Sequence, residues 1–409
     1  MDPASDHLRS LSINPDDKPN QFRVRSLTLP VYLPNFLFSI GQGAAIPVIA
    51  LLALDLGASP AIAGGVVALR GIGTMLFDVP SGLLVARFGE RKAMVMATGV
   101  LALIAFGIGL RPSLPVYALL VLLMGCAWSV WSLARLAFAT EATPPRHRGR
   151  VMSMMGGVNR TGNFVGPVLG SLVVIPFGLA GPFFIQAILA VGASLTLTAT
   201  PERIEFESSR AQPISMRELL RAHRRNLGIV GFVAITVQVL RSARQAIIPL
   251  WGDFIGLDAS QISLIFGASS ALEMVVFYPV GALMDRKGRK WAALPCLLLL
   301  TVSMALIPLT SAFTSLLLVS LFAGFANGLG SGLNMTLGSD LSPALGRSQF
   351  LGLWRLVTDV GGAAGPLLIA VVTSLASLGA APVVVAAVGL MGTAVLWRAV
   401  PETLGPDLE

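Results

Sequence analysis

The sequence predicts an all-α membrane protein with twelve transmembrane helices in two pseudo-symmetric six-helix bundles. Composition, the length of the apolar runs and an internal repeat predict it. Hydrophobic residues make up 54% of the 409 residues and charged residues only 12%, whereas about 25% of a typical soluble domain is charged. So few charges cannot cover the surface of a soluble protein of this size, so the chain is predicted to cross a membrane many times.

Twelve apolar runs are long enough to cross about 30 Å of hydrocarbon as helices. Transmembrane strands are not predicted, because the runs are about 20 residues long and do not alternate between apolar and polar residues. The predicted spans 1 to 12 cover residues 31–55, 61–85, 92–110, 114–139, 151–175, 180–200, 227–251, 260–284, 291–310, 314–338, 349–375 and 380–400.

The spans divide the chain into five predicted regions. The first 26 residues are polar and lack the apolar core of a signal peptide, which predicts a disordered cytoplasmic tail. A basic segment separates the two sets of six spans. The regions are a tail at 1–26, an N-terminal bundle at 27–200, a cytoplasmic linker at 201–226, a C-terminal bundle at 227–400 and a second tail at 401–409.

The distribution of Lys and Arg predicts the topology. Of 29 such residues, 22 fall in tails and loops on the side shared by the termini, and only Arg111 falls in a loop on the other side. Cytoplasmic loops carry the excess of Lys and Arg, so both termini are predicted to be cytoplasmic in a multi-pass cell-membrane protein. The same topology accounts for the net charge of +8, so the lipid bilayer, and no nucleic acid, is the expected partner.

The two halves repeat at an offset of 199 residues. Matching Gly, Pro and Arg residues recur from span 2 to span 11 without a gap, and chance glycine matches alone would not keep one register. The pairs include Gly57 with Gly256, Pro80 with Pro279, Arg87 with Arg286, Gly125 with Gly324, and Glu141 with Asp340. A parallel repeat of this kind is typical of transporters whose halves are related by a pseudo-twofold axis.

The loop between spans 8 and 9 reads Gly281-Ala-Leu-Met-Asp-Arg-Lys-Gly-Arg-Lys290. It resembles the G-x-L-x-D-R-x-G-R-K signature of the major facilitator superfamily, which implies the major facilitator fold and a cytoplasmic gate. In the first-half copy, Ala86 replaces the acid of the signature. The alternative interpretation is ordinary positive-inside topology. The predicted gate residues are Gly82, Arg87, Gly89, Arg91 and Glu141, with Gly281, Asp285, Arg286, Gly288, Arg289 and Asp340.

Span 5 contains Gly162, Gly166 and Pro167 in a pattern similar to the G-x-x-x-G-P-x-x-G motif of drug–proton antiporters in that superfamily. This resemblance favours export over import. Small residues four apart also let helix backbones approach closely, and proline adds a bend. Plain helix packing is therefore the alternative. Span 11 repeats the motif as Gly361, Gly365 and Pro366.

Charged residues inside the spans are candidates for proton coupling. A charge at the bilayer centre costs at least about 2.5–3.5 kcal/mol, so each one needs a partner or a wet cavity. The resemblance implies that spans 2 and 11, and spans 5 and 8, meet across the two halves. Protonating an acid would then release a contact between the halves, although static structural pairs are the alternative. The predicted pairs are Asp78 with Arg355, Arg160 with Glu273, and Arg70 with Asp359.

Spans 1, 4, 7 and 10 line the central cavity in the fold that the resemblance implies. Each carries polar residues at helical spacing, and each residue could instead join helices through hydrogen bonds. The excess of Arg favours an anionic or zwitterionic solute. The candidate cavity residues are Asn35, Ser39, Gln42, Trp128, Ser132, Arg135, Gln238, Arg241, Arg244, Gln245, Asn327, Ser331 and Asn334.

These features predict a secondary active transporter that works by alternating access. We expect proton-coupled efflux of small amphiphilic molecules or drugs; the alternative is an importer or exchanger of organic anions that carry phosphate or carboxylate.

No buried His or Cys constellation and no G-x-x-x-x-G-K-[ST] loop occurs, which argues against an enzyme and against ATP-driven transport. A channel fits the repeat less well than alternating access. No cofactor or metal is expected, and the expected partners of a monomer are a small-molecule substrate and protons.

Overall fold

The computed structural model describes residues 27–143, 147–199, 216–343 and 347–400. All regular elements within these ranges are helices. The predicted tails at 1–26 and 401–409 lie outside the described residues. The first half contains α1 (Leu33–Ala45), α2 (Ile49–Asp55), α3 (Pro60–Phe88), α4 (Glu90–Gly109), α5 (Leu114–Glu141), α6 (Arg148–Phe177) and α7 (Gly181–Thr198).

Over the described residues, the second half has the same number of helices. They are α8 (Met216–Phe254), α9 (Ala259–Lys287), α10 (Lys290–Leu306), α11 (Phe313–Leu329), α12 (Leu333–Asp340), α13 (Arg347–Leu375) and α14 (Ala380–Ala399). The halves are interrupted at different places, since one helix, α8, corresponds to α1 and α2, and two helices, α11 and α12, correspond to α5. By length and hydropathy, 11 helical stretches of the described chain could cross a membrane. The predicted count was twelve; the difference arises at Arg148–Thr198, a 51-residue stretch that holds both α6 and α7.

The same signals start and stop the helices in both halves. Ser59 caps the start of α3 through its side chain, and Asp258 forms a capping box at the start of α9. At the other ends, Gly89 and Gly288 have φ of 79° and 99°, a conformation that glycine adopts without a steric penalty. All of these positions obey the offset of 199, so the repeat in sequence is also a repeat in local structure.

Helix α8 begins earlier than predicted. Residues 216–226, assigned to the linker from the sequence, are helical. The segment contains four Arg and two Leu and neither Gly nor Pro, so it favours a helix where the chain leaves the membrane. The rest of the linker, 201–215, lies outside the described residues.

Predicted span 10 is broken in the structure. Helix α11 ends at Leu329 and α12 begins at Leu333, with Gly332 in the left-handed region at φ 79°. The Gly330 carbonyl accepts from the Leu333 backbone at 3.1 Å and from Arg241 of α8 at 2.7 Å. Three glycines within five residues, Gly328, Gly330 and Gly332, account for the weakness of the helix here.

The glycine-proline motifs lie at close helix contacts. A Cβ on Gly166 would lie 2.7 Å from the Ala44 backbone nitrogen of α1, and a Cβ on Gly365 would lie 2.6 Å from the Ala243 nitrogen of α8. Since real Cβ atoms do not approach that closely, only glycine fits. Gly162 and Gly361 make the equivalent contacts one turn earlier, so the packing interpretation of both motifs holds.

The two halves meet along α3 with α13 and along α6 with α9. At the end of the bundle that holds α2, the halves close tightly: a Cβ on Gly64 would touch Ala370 at 3.4 Å, and α2 packs against α8. Large apolar side chains such as Leu103 and Leu375 stay exposed on the outer surface. In a membrane protein such residues face lipid. Charged groups lie between the halves instead.

Candidate functional site

Two adjoining cavities lie between the halves. Their volumes are about 150 and 270 Å³, and both are lined by Ile46, Asn163 and Gln245. Helix α1 ends just before this point, and Ile46–Val48 continue as a 3-10 turn that contains Pro47. The shared lining residues place the two cavities side by side, next to the helices that join the halves.

The smaller cavity contains a group of charges that we name the Glu273 cluster, comprising Arg160, Arg244, Glu273 and Asn327. Arg160 of α6 donates to Glu273 Oε1 at 3.0 Å, the contact predicted between the halves. On the other oxygen, Glu273 Oε2 accepts from Asn327 at 2.6 Å and lies 3.6 Å from Arg244. Two guanidinium groups therefore share one carboxylate.

The guanidinium groups of this cluster are only partly hydrogen-bonded. Arg160 lies 4.2 Å from the ring centre of Phe277, and Arg244 donates to Ser269 at 3.3 Å. The Nε atoms of both arginines are buried and have no partner in the described structure. The cluster thus carries one positive charge in excess and retains unused N–H donors.

The second group of charges, the Arg355 cluster, has the opposite balance. It comprises Arg355, Asp78, Asp359 and Ser132. Arg355 of α13 lies 3.4 Å from Asp78 of α3, the second contact predicted between the halves, and 3.5 Å from Asp359 on its own helix. It also donates to Ser132 of α5 at 2.5 Å. One guanidinium therefore serves two carboxylates.

The predicted pair of Arg70 with Asp359 is wrong. Arg70 donates to the Gln42 amide oxygen at 3.0 Å and lies 5.6 Å from the ring centre of Trp128. Asp359 instead bonds to Arg355, which is four residues away on the same helical face. Within the described chain Arg70 has no ion-pair partner, although both Arg70 and Asp359 line the larger cavity.

The predicted cavity residues separate into two sets. Six of them line the cavities: Gln42, Trp128, Gln238, Arg244, Gln245 and Asn327. The other seven do not line these two cavities, and five of them, Asn35, Ser39, Ser132, Arg135 and Arg241, bond to another helix instead. Asn35 is buried between Arg135 and the Met155 carbonyl, and Ser39 accepts from Asn159. The remaining two are Ser331 and Asn334.

Trp131 packs in the core. It is fully buried and stacks on Phe38 with ring centres 4.4 Å apart, so it does not reach the cavities. Trp128 differs, because its ring lines the larger cavity beside Arg70. Of the two tryptophans, only Trp128 is placed to contact a solute in these cavities.

The gate residues differ between the halves. In the second half, Arg289 pairs with Asp340 at 3.1 Å, as expected for a loop base and an acid. In the first half, Arg91 donates to the carbonyls of Leu197 and Thr198 at 2.8 Å. Glu141 forms no ion pair within the described ranges, so its predicted role as partner of a loop base is not borne out there. The structure does not describe the side chains of Asp285 and Arg286 or the surroundings of Gly281.

Sequence reasoning missed the two asparagines of α6. Asn163 lines both cavities and donates to Asn159 at 3.1 Å, and Asn159 in turn donates to Ser39 at 2.8 Å. The signal was present in the sequence, because Asn159 and Asn163 lie four residues apart, and Arg160 lies on the same polar face. The family fold assigns the cavity to spans 1, 4, 7 and 10, whereas α6 corresponds to span 5.

Comparisons with known proteins agree with this architecture. The family model of the Major Facilitator Superfamily matches residues 31–240 and 230–408. The chain is 24% identical to Multidrug resistance protein 2 of Bacillus subtilis over 81% of this chain and 85% of that protein. It is also 24% identical to the Multi-drug resistance efflux pump PmrA homolog of Lactococcus lactis, over 84% and 82%.

One solved structure illustrates the shared fold. A bacterial homolog of the human lysosomal transporter Spinster, in an inward-facing and unoccupied conformation, superposes with a TM-score of 0.75. The superposition covers 93% of this chain and 97% of that one, at 13% sequence identity. At that identity the likeness concerns the fold alone.

Proposed function

The chain belongs to the major facilitator superfamily and is a transporter, not an enzyme; we propose that it exports small amphiphilic molecules or drugs in exchange for protons. The observation that carries the proposal is the pair of charge clusters that join the halves beside the cavities. The relatives named for multidrug resistance support export at the level of the family.

The proposal includes twelve crossings in two six-helix bundles. The 51 residues of Arg148–Thr198 would form a helix about 75 Å long, more than twice the thickness of the hydrocarbon core. Gly178 has φ of 63°, and α6 packs against α7. Two antiparallel crossings at this stretch keep the charge topology, in which the termini and most basic loops face the cytoplasm.

The Arg355 cluster is the proposed site of proton coupling. Two carboxylates with one guanidinium carry an excess negative charge, and a low-dielectric interior disfavours that excess. A proton taken up by Asp359, which lies on the same helix as Arg355, would remove the excess and leave Arg355 paired with Asp78 of the other half. Loss of that proton would restore the excess and weaken this contact, which would let the halves rock, whereas the protonated cluster would hold them together.

A flux measurement tests this proposal. Purified protein in proteoliposomes should move rhodamine B, a zwitterionic amphiphilic dye, against its gradient when protons flow the other way; ethidium, a cation, is measured beside it. The Asp359→Asn variant should exchange the dye but no longer respond to an imposed pH gradient. Asp55→Asn is the matched control, since Asp55 is exposed and pairs with Arg111 at the far end of the bundle. If a variant with Glu273→Gln and Asp359→Asn keeps proton-driven transport, the coupling role is wrong.

The Glu273 cluster favours a second candidate, an importer or exchanger of organic anions. Its excess positive charge would attract a carboxylate or phosphate. A proton and an anion strengthen each other's binding instead of competing, so this candidate moves both in one direction or exchanges one anion for another. Inward flux of fluorescein with protons, without flux of ethidium, would favour this candidate over export.

A further inference from the structure

Arginine is in excess on the cavity walls. Arg70, Arg160 and Arg244 line the two cavities, together with the acids Glu273 and Asp359. Asp359 already bonds to Arg355, and Glu273 accepts from Arg160 and Asn327 while also facing Arg244. Arg70 is bonded only to a neutral amide. The walls therefore hold guanidinium groups that the described acids do not neutralise.

The geometry points to a binding site for the carboxylate of an amphiphilic solute, formed by Arg160 and Arg244. This inference rests on the proposed transport function and concerns the solute in either direction of flux. An Arg guanidinium presents a rigid fork of N–H groups that matches a carboxylate with two parallel hydrogen bonds. Glu273 occupies this position in the structure, so the side chain acts as a resident anion that the solute replaces.

The apolar part of the solute fits the adjoining cavity. The larger cavity extends from Gln245 to Trp128 and Ile49, and the Trp128 ring lies on its wall. Arg70 lies beside that ring and would attract a second electronegative group. A flat aromatic acid satisfies both walls, whereas the corresponding ammonium compound would be repelled by Arg160 and Arg244 at the carboxylate position.

Three ligands of one shape test the inference on the unmodified protein. Naphthylacetate, naphthylacetamide and naphthylethylammonium share an aromatic body and differ in charge. We expect naphthylacetate to bind at least about tenfold more tightly than the other two, the value of one charge-assisted hydrogen bond, when measured by calorimetry in detergent. Equal affinity for the three ligands, or preference for the ammonium compound, would overturn the inference.

Substitutions then locate the site. Arg244→Gln should weaken naphthylacetate binding by about tenfold or more, and Arg111→Gln, an exposed control at the end of the bundle, should leave it unchanged. Glu273→Gln should lower the melting temperature of the empty protein but tighten naphthylacetate binding, because the resident anion is gone. A purely structural role for Glu273 predicts weaker binding instead.

The two proposals fail separately. Binding is measured without a gradient, so acid-selective binding with no proton-driven flux would contradict the coupling proposal alone. Proton-driven flux of ethidium with no preference among the three ligands would contradict the carboxylate site alone. Naphthylacetate binding that Arg244→Gln does not change would place the anion elsewhere and reject the assignment of these residues.

Discussion

The two contacts between the halves are built from equivalent helices but have opposite charge balance. Helices α6 and α9 carry Arg160 and Glu273, and α8 adds a second arginine, Arg244. Helices α13 and α3, the repeats of α6 and α9, carry the Arg355 cluster with one arginine and two acids. The backbone repeat thus provides two similar interfaces, and a few side chains give them different charge. We propose that one interface binds an anion and the other a proton.

The largest effect is expected from Arg355→Gln. This substitution leaves Asp78 and Asp359 without their shared cation, and removing one partner of a buried ion pair costs about 3–5 kcal/mol. Thermal unfolding in detergent, followed by intrinsic fluorescence, measures the change. Arg355→Lys keeps the charge and should recover part of the loss; equal losses for the two variants would show that the charge is not what matters.

A smaller loss is expected from Arg160→Gln. Glu273 keeps Arg244 and Asn327 as partners, so the cost is the loss of one charge-assisted hydrogen bond, about 1.5–3 kcal/mol. The same unfolding assay applies. If Arg160→Gln destabilises the protein as much as Arg355→Gln, the two clusters do not differ in charge balance as described.

The pH dependence of stability should distinguish the Arg355 cluster from the Glu273 cluster. A proton on Asp359 removes the repulsion from Asp78, so the melting temperature of the unmodified protein should fall as the pH rises. Asp359→Asn should flatten this dependence without lowering stability, since it removes the excess acid. Asp55→Asn should keep the slope of the unmodified protein, and a steeper slope in Asp359→Asn would contradict the proposed proton site.

The smallest change in stability is expected near the ends of α3 and α12, where Ala86 and Asp340 lie. Ala86 is exposed where the second half has Asp285, and Ala86→Asp would restore the acid of the signature beside Arg87. Exposed ion pairs contribute about 0–1 kcal/mol, so the melting temperature should rise slightly or stay the same. Asp340→Asn, which breaks the pair with Arg289, should lower it by a similar amount. A loss of more than about 3 kcal/mol in the free energy of unfolding of either variant would be inconsistent with a weak ion pair at the gate residues.

The sequence allowed prediction of the helices and of two contacts between the halves. Asp78 with Arg355 and Arg160 with Glu273 were predictable because depth follows from counting residues along helices whose neighbours the family fold implies. The prediction that Arg70 pairs with Asp359 was wrong for a local reason: Arg355 lies one helical turn from Asp359 on the same helix and pairs with it instead. The depth of a residue in the membrane does not decide which of the two arginines pairs with Asp359.

The finer arrangement of the site depended on helix rotation. Asn35 and Asn327 occupy similar polar stripes in the sequence, yet Asn35 is buried against α6 while Asn327 reaches the cavity. A rotation of a few tens of degrees about the helix axis decides between these outcomes, and no pattern of spacing fixes it. Close glycine contacts such as Gly162 against Ser39 set that rotation through tertiary packing.

The interruption between α11 and α12 separates two tasks along one crossing. Asn327, which holds Glu273, lies on α11, and Asp340, which holds Arg289, lies on α12. Between Gly328 and Leu333 the backbone hydrogen bonds are of the i→i+3 kind and Gly332 is left-handed, so a tilt of α12 need not rotate α11. In the transport cycle that we propose, the pair of Arg289 with Asp340 can therefore break without displacing Asn327, while the hydrogen bond from Arg241 to Gly330 keeps the two segments attached to α8.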